Sequence, residues 1–430
     1  MNRLSEIFFH QSVLHFMRFE RVDQICRWRL CSGCGACVSA CPERNLSMAD
    51  IPAEGLRPIL KDVHCRRCGR CVQVCPGVGL EHNRENALIF SGEWGPVLEV
   101  WEGYAADPEI RYWGSSGGAA SAFALYCVEQ ASAGGVVQTG VDETVPIRNR
   151  TCCSRTREEI LRCSGSRYSP ASPCEFFERI LEFSEPSVFV GKPCDVAALR
   201  KYEKIVPEIS KKIFAAVSIF CAGTPSTEGT LVVLREMGIS AEKLSSFRYR
   251  GGGWPGKATA IEKKTGQKKE LTYEQCWGGI LSRYVGFRCR LCPDSTGEFA
   301  DISFGDPWYQ PPKPNEPGRS LVIVRTERGR TLLRQAVQKG YLILQPVSET
   351  VIARSQPSLL NKRRHLWGRL AVLRMMGVPS PRYGGFGLFR SWWKLPFSEK
   401  LKSLGGTVRR VWSRRLYCPL PSDIFREKSC

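Results

Sequence analysis

Two cysteine runs near the start of the chain have the spacing that holds iron–sulfur clusters. CSGCGACVSACP contains Cys31, Cys34, Cys37 and Cys41, and CRRCGRCVQVCP contains Cys65, Cys68, Cys71 and Cys75. Both fit C-x2-C-x2-C-x3-C-P, in which the fourth cysteine of each run ligates the other cluster. Structural zinc, the alternative, usually takes two cysteines from each of two knuckles. We therefore expect two 4Fe-4S clusters, held by Cys31, Cys34, Cys37 and Cys75 and by Cys65, Cys68, Cys71 and Cys41.

A further cysteine pair, Cys289 and Cys292, lies in RCRLCPDSTGEFADISFGD, far from the two runs. It precedes a predicted strand, and Cys194 and Cys221 each follow one, in SVFVGKPCDVAALRKY (187–202) and IFAAVSIFCAGTPSTEGTLVVLREMG (213–238). Strands that alternate with helices predict a parallel α/β sheet, which binds ligands beyond the carboxyl ends of its strands. The four cysteines could thus share one edge of the sheet. Burial for packing alone and a zinc site remain open.

The segment GSSGGAASAFALYCVEQ (114–130) predicts a helix from about Ala119 to Gln130. Ser115 and Ser116 are candidate N-caps. Gly117 and Gly118 would let a phosphate approach the free N–H groups at the helix start. Simple packing is the alternative, since the segment is neither a Walker A loop nor GxGxxG.

Composition indicates a folded globular protein in a reducing compartment. The chain has 430 residues, 43% of them hydrophobic, which suffices for two or three domains. Its first twenty residues lack the continuous apolar region of a secretory signal, and we predict no membrane-spanning helix. Twenty-one cysteines without export indicate metal binding in the cytoplasm.

The net charge of +20 is concentrated at the C-terminal end, where residues 361–430 contain sixteen Lys or Arg and three Asp or Glu. Arginine is mixed there with tryptophan, in RRHLWGRLAVLRMM, FRSWWK and VRRVWSRR. This composition suits peripheral contact with an anionic membrane or with an acidic partner such as ferredoxin. A solvated basic extension is the alternative. No RNA or DNA motif accompanies the charge, so we predict no nucleic-acid partner.

Six segments together resemble the beta subunit of coenzyme F420 hydrogenase or dehydrogenase, over roughly residues 97–350. They are GSSGGAASAFALY, SGSRYSP, VGKPCDVAALRK, IFCAG, FRYRGGGWPGK and CRLCPDSTGEFADISFGD, in the family's order. The cysteine runs in front resemble the fused arrangement of deazaflavin dehydrogenase input subunits, and chlorophyll-pathway reductases are similar. The resemblance implies an FAD-binding α/β domain. It also implies a third 4Fe-4S cluster, held by Cys194, Cys221, Cys289 and Cys292.

The resemblance also places flavin contacts and catalytic residues. The implied flavin contacts are Ser115, Ser116, Gly117, Gly118, Ser166, Arg167 and Tyr168, although Arg167 stands where family members often have lysine. Lys192 could face the flavin ring and stabilise its reduced, anionic form, or be a solvated turn lysine. Arg248, Arg250 and Trp254 lie in a Gly-rich loop that is either a capture loop or a hairpin turn. We predict Lys192 and Arg250 as catalytic.

These inferences divide the chain into three parts. Residues 1–96 form an α+β ferredoxin-like domain, residues 97–355 an α/β flavin-binding domain with a mostly parallel sheet, and residues 356–430 a basic extension. The predicted function is an oxidoreductase that relays single electrons through 4Fe-4S clusters to FAD. FAD would exchange a hydride with F420 or another small organic substrate, with ferredoxin or another acidic protein as redox partner. The alternative is a non-catalytic electron-transfer subunit that serves a partner enzyme.

Overall fold

A computed structural model describes residues 19–61, 65–82, 92–313 and 316–427. The prediction that the chain lacks a signal rests largely on residues 1–18, which lie outside these ranges. Within them, no helix is both long enough and apolar enough to span a bilayer.

The helices and strands alternate through the middle of the chain, as its apolar runs predict. The helices are α1 Val22–Arg27, α2 Ala36–Ser39, α3 Arg70–Gln73, α4 Pro108–Trp113, α5 Ala119–Glu129, α6 Arg157–Arg162, α7 Phe177–Glu182, α8 Pro193–Tyr202, α9 Thr227–Glu236, α10 Phe287–Arg290, α11 Glu327–Gln338, α12 Thr350–Ser355, α13 Pro357–Arg364, α14 Leu366–Met375, α15 Leu388–Trp393 and α16 Phe397–Ser413. The strands are β1 Leu46–Ile51, β2 Gly55–Leu60, β3 Gly79–Glu81, β4 Glu99–Ala105, β5 Val136–Val141, β6 Asn149–Ser154, β7 Ser187–Gly191, β8 Ile213–Ile219, β9 Leu244–Arg248, β10 Ala258–Glu262, β11 Lys268–Leu271, β12 Ile302–Gly305, β13 Ser320–Val324, β14 Leu342–Pro346 and β15 Arg382–Gly384. The two predicted strand–turn–helix units, β7–α8 and β8–α9, are confirmed.

The two N-terminal cysteine runs each lead into a single helical turn. Gly35 and Gly69 precede α2 and α3 with φ of 87° and 73°, a left-handed conformation that glycine adopts without steric cost. The antiparallel hairpin β1–β2 lies between the runs in sequence. The short strand β3 follows the second run and pairs in parallel with β15 from the C-terminal extension.

The central sheet has eight strands in the order β14-β4-β13-β12-β8-β7-β5-β6. Its four middle strands, β12, β8, β7 and β5, pair in parallel. All other neighbours pair antiparallel. The expectation of a mostly parallel sheet is therefore correct only for the middle of the sheet. The correction arises because β4, β13 and β14 come from distant parts of the chain and add an antiparallel flank.

The main core lies between this sheet and the helices α5 and α11. Phe123, Val136, Val188, Val217 and Leu333 are fully buried in it. Apolar side chains that lose all contact with water contribute most of the free energy of folding. This core fixes the carboxyl ends of β7, β8 and β12 relative to the start of α5.

The Gly-rich segment after β9 is a hairpin connection. Strands β9 and β10 pair antiparallel, and β11 adds to their open side. The loop between them contains Arg250 and Trp254, which are both buried. The hairpin alternative is thus correct for the backbone, while the loop directs large side chains inward.

The C-terminal extension packs into the same core as the first cysteine run. Leu366, Leu370 and Leu373 of α14 lie in one buried cluster with Ile25 and Leu30. The extension is therefore not only a solvated basic tail, since one face of it is part of the folded body. Its predicted boundary at residue 356 stays a prediction.

A buried polar network joins the three predicted parts of the chain. Glu298 accepts hydrogen bonds from His82 Nε2 at 2.9 Å and from the guanidinium of Arg363. All three residues are at most 7% exposed. Burial favours the neutral carboxyl, but Arg363 and His82 hold the pKa of Glu298 below its ordinary value. The network therefore ties the end of the cysteine-rich region to both α13 and the segment after Cys292.

We expect Glu298→Gln to lower the free energy of unfolding by about 2 kcal/mol or more, because the buried guanidinium loses its counter-charge. Urea denaturation would measure the loss. Glu143→Gln is the matched control, since Glu143 pairs with Arg150 at 2.6 Å on the surface and should cost less than about 1 kcal/mol. Equal losses in the two variants would contradict a role for Glu298 in joining the parts.

Candidate functional site

The eight cysteines of the N-terminal runs form two groups. Burial raises the pKa of Cys37 well above its ordinary value; the neighbouring thiols of Cys31, Cys34 and Cys75 raise it further, and Cys71 contributes less than these. Burial likewise raises the pKa of Cys71 to about 11, with further contributions from Cys65, Cys68 and Cys41. Each group thus combines three cysteines of one run with the last cysteine of the other. This is the exchange that the spacing predicts for two 4Fe-4S clusters.

Backbone amides point at three of these sulfurs. The amides of Gly33, Gly77 and Asn45 donate to the sulfurs of Cys31, Cys75 and Cys41 at 3.3, 3.3 and 3.4 Å. Hydrogen bonds of this kind help to set the reduction potential of a cluster. A side chain at Gly77 would place its Cβ 2.4 Å from the carbonyl oxygen of Leu30, so only glycine fits there. The thiols and amides present fit 4Fe-4S clusters.

The two groups differ in exposure. Cys31, Cys34, Cys37 and Cys75 are all buried. In the other group Cys68 is exposed, and Cys41, Cys65 and Cys71 are half-buried. The second group is therefore the more accessible of the two from solvent.

Cys194, Cys221, Cys289 and Cys292 also lie near one another. Burial raises the pKa of Cys221 to about 12, with contributions from Cys289 and Cys292. Burial also raises the pKa of Cys194, and the nearby Cys221 and Cys292 raise it further. The sequence predicts that these residues lie at one edge of the sheet. The effects of these cysteines on one another's pKa agree with that prediction. As in the N-terminal runs, a backbone amide, that of Thr224, donates to Cys289 Sγ at 3.4 Å.

Within the described ranges, no three His, Cys, Asp or Glu side chains meet closely enough to hold a single metal ion. Four cysteines around a 4Fe-4S cluster do not need to meet at one point, because each thiolate binds a different iron. The donor set at this site is four thiols with cations nearby. Arg288 and Lys362 both act to lower the pKa of Cys292, which burial raises. Thiolate charge at this site is thus partly compensated.

Three hydrogen bonds connect the buried N-terminal set (the Cys37 group: Cys31, Cys34, Cys37 and Cys75) to the Cys194 group (Cys194, Cys221, Cys289 and Cys292). The amide of Cys174 donates to the carbonyl of Cys34 at 2.9 Å, and its thiol donates to the carbonyl of Asp195 at 3.5 Å. The Arg288 guanidinium donates to the carbonyl of Pro76 at 2.7 Å. Since Asp195 follows Cys194 and Pro76 follows Cys75, the two sets of thiols lie side by side. The Cys37 group, which is the buried one, therefore neighbours both the Cys68 group (Cys41, Cys65, Cys68 and Cys71) and the half-buried Cys194 group.

A cavity of about 290 Å³ opens next to the Cys194 group. Cys221 lines it, together with the sequence-predicted residues Ser115, Ser116, Gly118, Ser166, Arg167, Tyr168, Lys192 and Arg250. Gly117 does not line it. The amide of Gly117 donates to Ser320 Oγ at 2.9 Å, and an added Cβ would lie 2.8 Å from the Gly103 oxygen. Gly117 thus allows two backbone segments to approach each other closely.

The serines of the GSSGG turn are not N-caps, which corrects that prediction. The N-cap of α5 is Gly118, with φ of 71° and no side-chain hydrogen bond to the helix start. Ser115 Oγ instead accepts from the amide of Ser166, and Ser116 Oγ bonds Ser320 Oγ at 2.9 Å. Because no side chain caps α5, its first N–H groups remain available at the cavity wall. Such groups bind phosphate well.

The guanidinium of Arg167 donates hydrogen bonds to other residues of the protein. It donates to Asn149 Oδ1 and to the carbonyls of Phe247, Pro146 and Arg148. Burial lowers the pKa of Arg167 from its ordinary value. Arg167 therefore fixes the loop that contains Ser166 and Tyr168. A direct bond from Arg167 to a ligand stays a prediction.

Arg250 makes five hydrogen bonds, one for each N–H of its guanidinium. Its acceptors are Pro255 O, Tyr168 Oη, Ser115 O and both carboxylate oxygens of Asp306, the last two at 2.9 Å. Burial opposes the charge, but Asp306 holds the pKa of Arg250 above its ordinary value. Since no donor is left over, this geometry favours a positioning role for Arg250 over the predicted catalytic one.

Lys192 lies at the N-cap of α8, beside the cavity. Its ammonium donates to Asp195 Oδ2 at 2.7 Å and to the carbonyl of Ala171 at 3.3 Å. Burial would lower the pKa of Lys192, but the Asp195 carboxylate raises it above its ordinary value. Lys192 is thus a fixed, mostly buried cation, which disagrees with the alternative of a solvated turn lysine.

Sequence reasoning missed the acidic and aromatic residues of the cavity. Asp306 ends the quoted segment ISFGD, directly after β12, where a carboxylate beyond a buried strand could have been noticed. Trp308, Tyr273 and Trp277 also line the cavity. Trp308 stacks between Trp254 and Tyr273, with ring centroids 5.3 Å apart on each side. No sequence signal brings these distant aromatic residues together.

Family models match three consecutive stretches of the chain. The model for the N-terminal part of the coenzyme F420 hydrogenase/dehydrogenase beta subunit matches residues 100–176, and the model for its C-terminal part matches residues 185–350. The model for a 4Fe-4S dicluster domain matches residues 30–78. The chain belongs to the coenzyme F420 hydrogenase/dehydrogenase beta-subunit family. The predicted family and the N-terminal 4Fe-4S domain are thus confirmed.

Named relatives of this chain include parts of F420-linked oxidoreductases. A coenzyme F420 hydrogenase subunit beta of Methanococcus voltae is 26% identical over 64% of this chain and 95% of its own length. A coenzyme F420-dependent sulfite reductase of Methanocaldococcus jannaschii is 25% identical over 53% of this chain and 35% of its length. A solved chain of the F420-reducing [NiFe] hydrogenase complex of Methanosarcina barkeri has a TM-score of 0.49 and 20% identity, over 64% of this chain and 95% of that one. The curated relatives support an oxidoreductase role in electron transfer.

Proposed function

We propose that the protein is an iron–sulfur flavoprotein oxidoreductase that converts between single-electron transfer and hydride transfer. One observation carries the proposal. The exposed Cys68 group, the buried Cys37 group and the Cys194 group neighbour one another in turn, and Cys221 of the Cys194 group lines a cavity with phosphate-binding features. A series of redox centres that leads from a surface to an organic cofactor needs such neighbours.

The thiol sets and the start of α5 are the parts of the protein that would hold the cofactors. Each thiol set would hold one 4Fe-4S cluster, and the uncapped start of α5 would bind the phosphates of FAD. When bound, the clusters exchange single electrons, and FAD exchanges either single electrons or a hydride.

Side chains at the cavity have distinct roles in this proposal. Lys192 places a fixed positive charge at the cavity, which favours an anionic ligand there. Asp195 keeps that cation in position by its bond to the ammonium. Arg250 and Asp306 hold the hairpin loop against the sheet, and the stacked Trp254 and Trp308 exclude water from this wall.

The proposed small-molecule substrate is a reduced deazaflavin such as F420, which the names of the relatives support. The proposed redox protein is ferredoxin or another acidic carrier. Arg44, Arg66 and Arg67 are exposed beside the Cys68 group, and each forms a long ion pair with a glutamate, at 3.3 to 3.7 Å. Cations around an exposed redox group speed the encounter with an acidic protein more than they strengthen the complex.

Anaerobic protein with reconstituted cofactors should oxidise reduced F420 only when an electron acceptor such as ferredoxin is present. Absorbance of the deazaflavin measures the reaction. Turnover by the purified chain alone would support an enzyme. A chain that retains its cofactors but turns over only with a second subunit would instead be the non-catalytic relay, and a chain that exchanges electrons with neither compound would contradict the proposal.

Charge reversal tests the docking face separately. Arg66→Glu with Arg67→Glu should slow reduction by dilute ferredoxin about tenfold, and saturating ferredoxin should restore the rate. The difference should shrink at high salt, since exposed charges are screened over about 8 Å at physiological ionic strength. Lys339→Glu, an exposed cation of the sheet domain, is the control. A defect that saturating ferredoxin does not relieve would contradict steering.

A further inference from the structure

Large apolar side chains are exposed on one face of the C-terminal extension. This face, the α15–α16 surface, consists of α15, α16 and the residues between them. Its exposed apolar residues are Phe389, Trp393, Phe397, Leu401, Val408 and Trp412, with exposed fractions of 51, 63, 74, 52, 39 and 62%. Contiguous apolar surface of this kind marks an interaction site in a soluble domain.

The α16 residues form one stripe along the helix. Phe397, Leu401, Val408 and Trp412 are spaced by four, seven and four residues, which puts them on the same face. A neighbouring face of α16 packs against the rest of the protein. The buried residues of this face are Ser403, Thr407 and Val411. The Trp392 indole donates to Ser403 Oγ at 3.0 Å on this packed face. The stripe is therefore not needed to attach α16 to the protein.

The same surface is strongly basic. Arg390, Lys394, Lys402 and Arg409 are exposed on it. The only Asp or Glu between residues 350 and 422 is Glu399, whose carboxylate bonds Lys402 at 2.6 Å and His365 at 3.2 Å. Lys400 holds its ammonium 4.7 Å from the centre of the Trp393 ring.

We propose that the α15–α16 surface docks on an anionic lipid bilayer, with α16 in the plane of the interface. Tryptophan, phenylalanine and leucine beside lysine and arginine on one helix is the composition of interfacial helices. The cations complement lipid phosphates, and each contributes about 1 kcal/mol near an anionic surface. Docking would bring the redox protein to a membrane, which the proposed function does not require.

Two other binding partners, a second copy of the chain and an acidic protein, match the properties of this surface less well. A second copy of the chain would bring the same cations against these cations, which repel each other. An acidic protein would satisfy the charge, but the cores of protein interfaces are depleted of lysine. The lipid surface alone matches both the apolar stripe and the surrounding charge.

Co-sedimentation of the full chain with vesicles tests the proposal. Vesicles of phosphatidylserine and phosphatidylcholine should bind the protein, and pure phosphatidylcholine should bind it far more weakly. The triple variant Phe397→Ser, Leu401→Ser and Trp412→Ser should lose at least about tenfold in affinity. Lys394→Glu with Arg409→Glu should lose about fivefold for each cation removed, and added salt should reduce binding of the unaltered chain.

Matched variants separate this surface from general effects. Ile343→Ser removes an apolar residue that is 51% exposed on β14, and Lys339→Glu removes a distant exposed cation. Both should bind vesicles as the unaltered chain does, and far-UV circular dichroism should confirm that all variants fold. The proposal is wrong if the triple variant binds anionic vesicles normally or the unaltered chain binds none. It is also wrong if the substitutions abolish self-association or binding of an acidic protein while vesicle binding persists.

Discussion

Replacing Cys289 with serine should lower the iron content of the anaerobic protein from about twelve to about eight atoms per chain. The loss is specific because Cys289 lies only with the Cys194 group, whereas the eight N-terminal thiols belong to the other two sets. The paramagnetic signals of the N-terminal clusters should remain. Reduction of the flavin by ferredoxin should become slow, since the last step of the relay is missing. Iron analysis, paramagnetic resonance and rapid-mixing absorbance measure the three effects.

Cys153→Ser provides the matched control for this variant. Cys153 is a half-buried cysteine of β6 outside all three thiol sets. It should keep full iron and a normal rate of flavin reduction. If Cys289→Ser also kept both, the third cluster would not be held by the Cys194 group.

Arg250→Ala should lower the free energy of unfolding by about 3 to 5 kcal/mol, because it leaves the Asp306 carboxylate without its buried partner. The variant should also lose flavin, since Arg250 joins the hairpin loop to Ser115 and Tyr168 at the cavity. Urea denaturation measures the stability, and retained yellow colour after gel filtration measures flavin binding.

The double variant Arg250→Ala with Asp306→Ala distinguishes a positioning role from a catalytic one. Removing both charges should recover part of the stability that Arg250→Ala loses, because no unpaired charge remains. If Arg250→Ala instead kept normal stability and flavin content but lost turnover, Arg250 would act directly on the substrate.

The local features of the fold were predictable from sequence where the signal is short-range. Apolar runs such as 187–191 and 213–219 are long enough for strands and are followed by helix starts, so β7–α8 and β8–α9 were predicted correctly. The antiparallel flank was not predicted, because β4 pairs with β13 and β14, more than two hundred residues away in sequence. The apolar pattern of a strand does not indicate which other strand it pairs with in the sheet.

In the candidate site, too, short-range features were predictable from sequence and features that depend on distant contacts were not. Cysteine spacing predicts the three neighbouring thiols of each N-terminal set, because the ligand geometry of a cluster acts over a few residues. The N-cap of α5 was predicted at a serine, but Gly118 takes that place and both serines bond distant segments. The partners of Arg250 could not be predicted either, since its five acceptors come from four separate parts of the chain. Tertiary contacts decide those roles.

The metal and flavin content of the anaerobically purified, unaltered protein tests the central claim most directly. Three 4Fe-4S clusters and one flavin predict about twelve irons and about one FAD per chain, without stoichiometric zinc. Elemental analysis and chromatography of the released flavin measure these quantities in one preparation. Eight irons with flavin retained would contradict a third cluster at the Cys194 group, and zinc in place of part of the iron would contradict the cluster assignment.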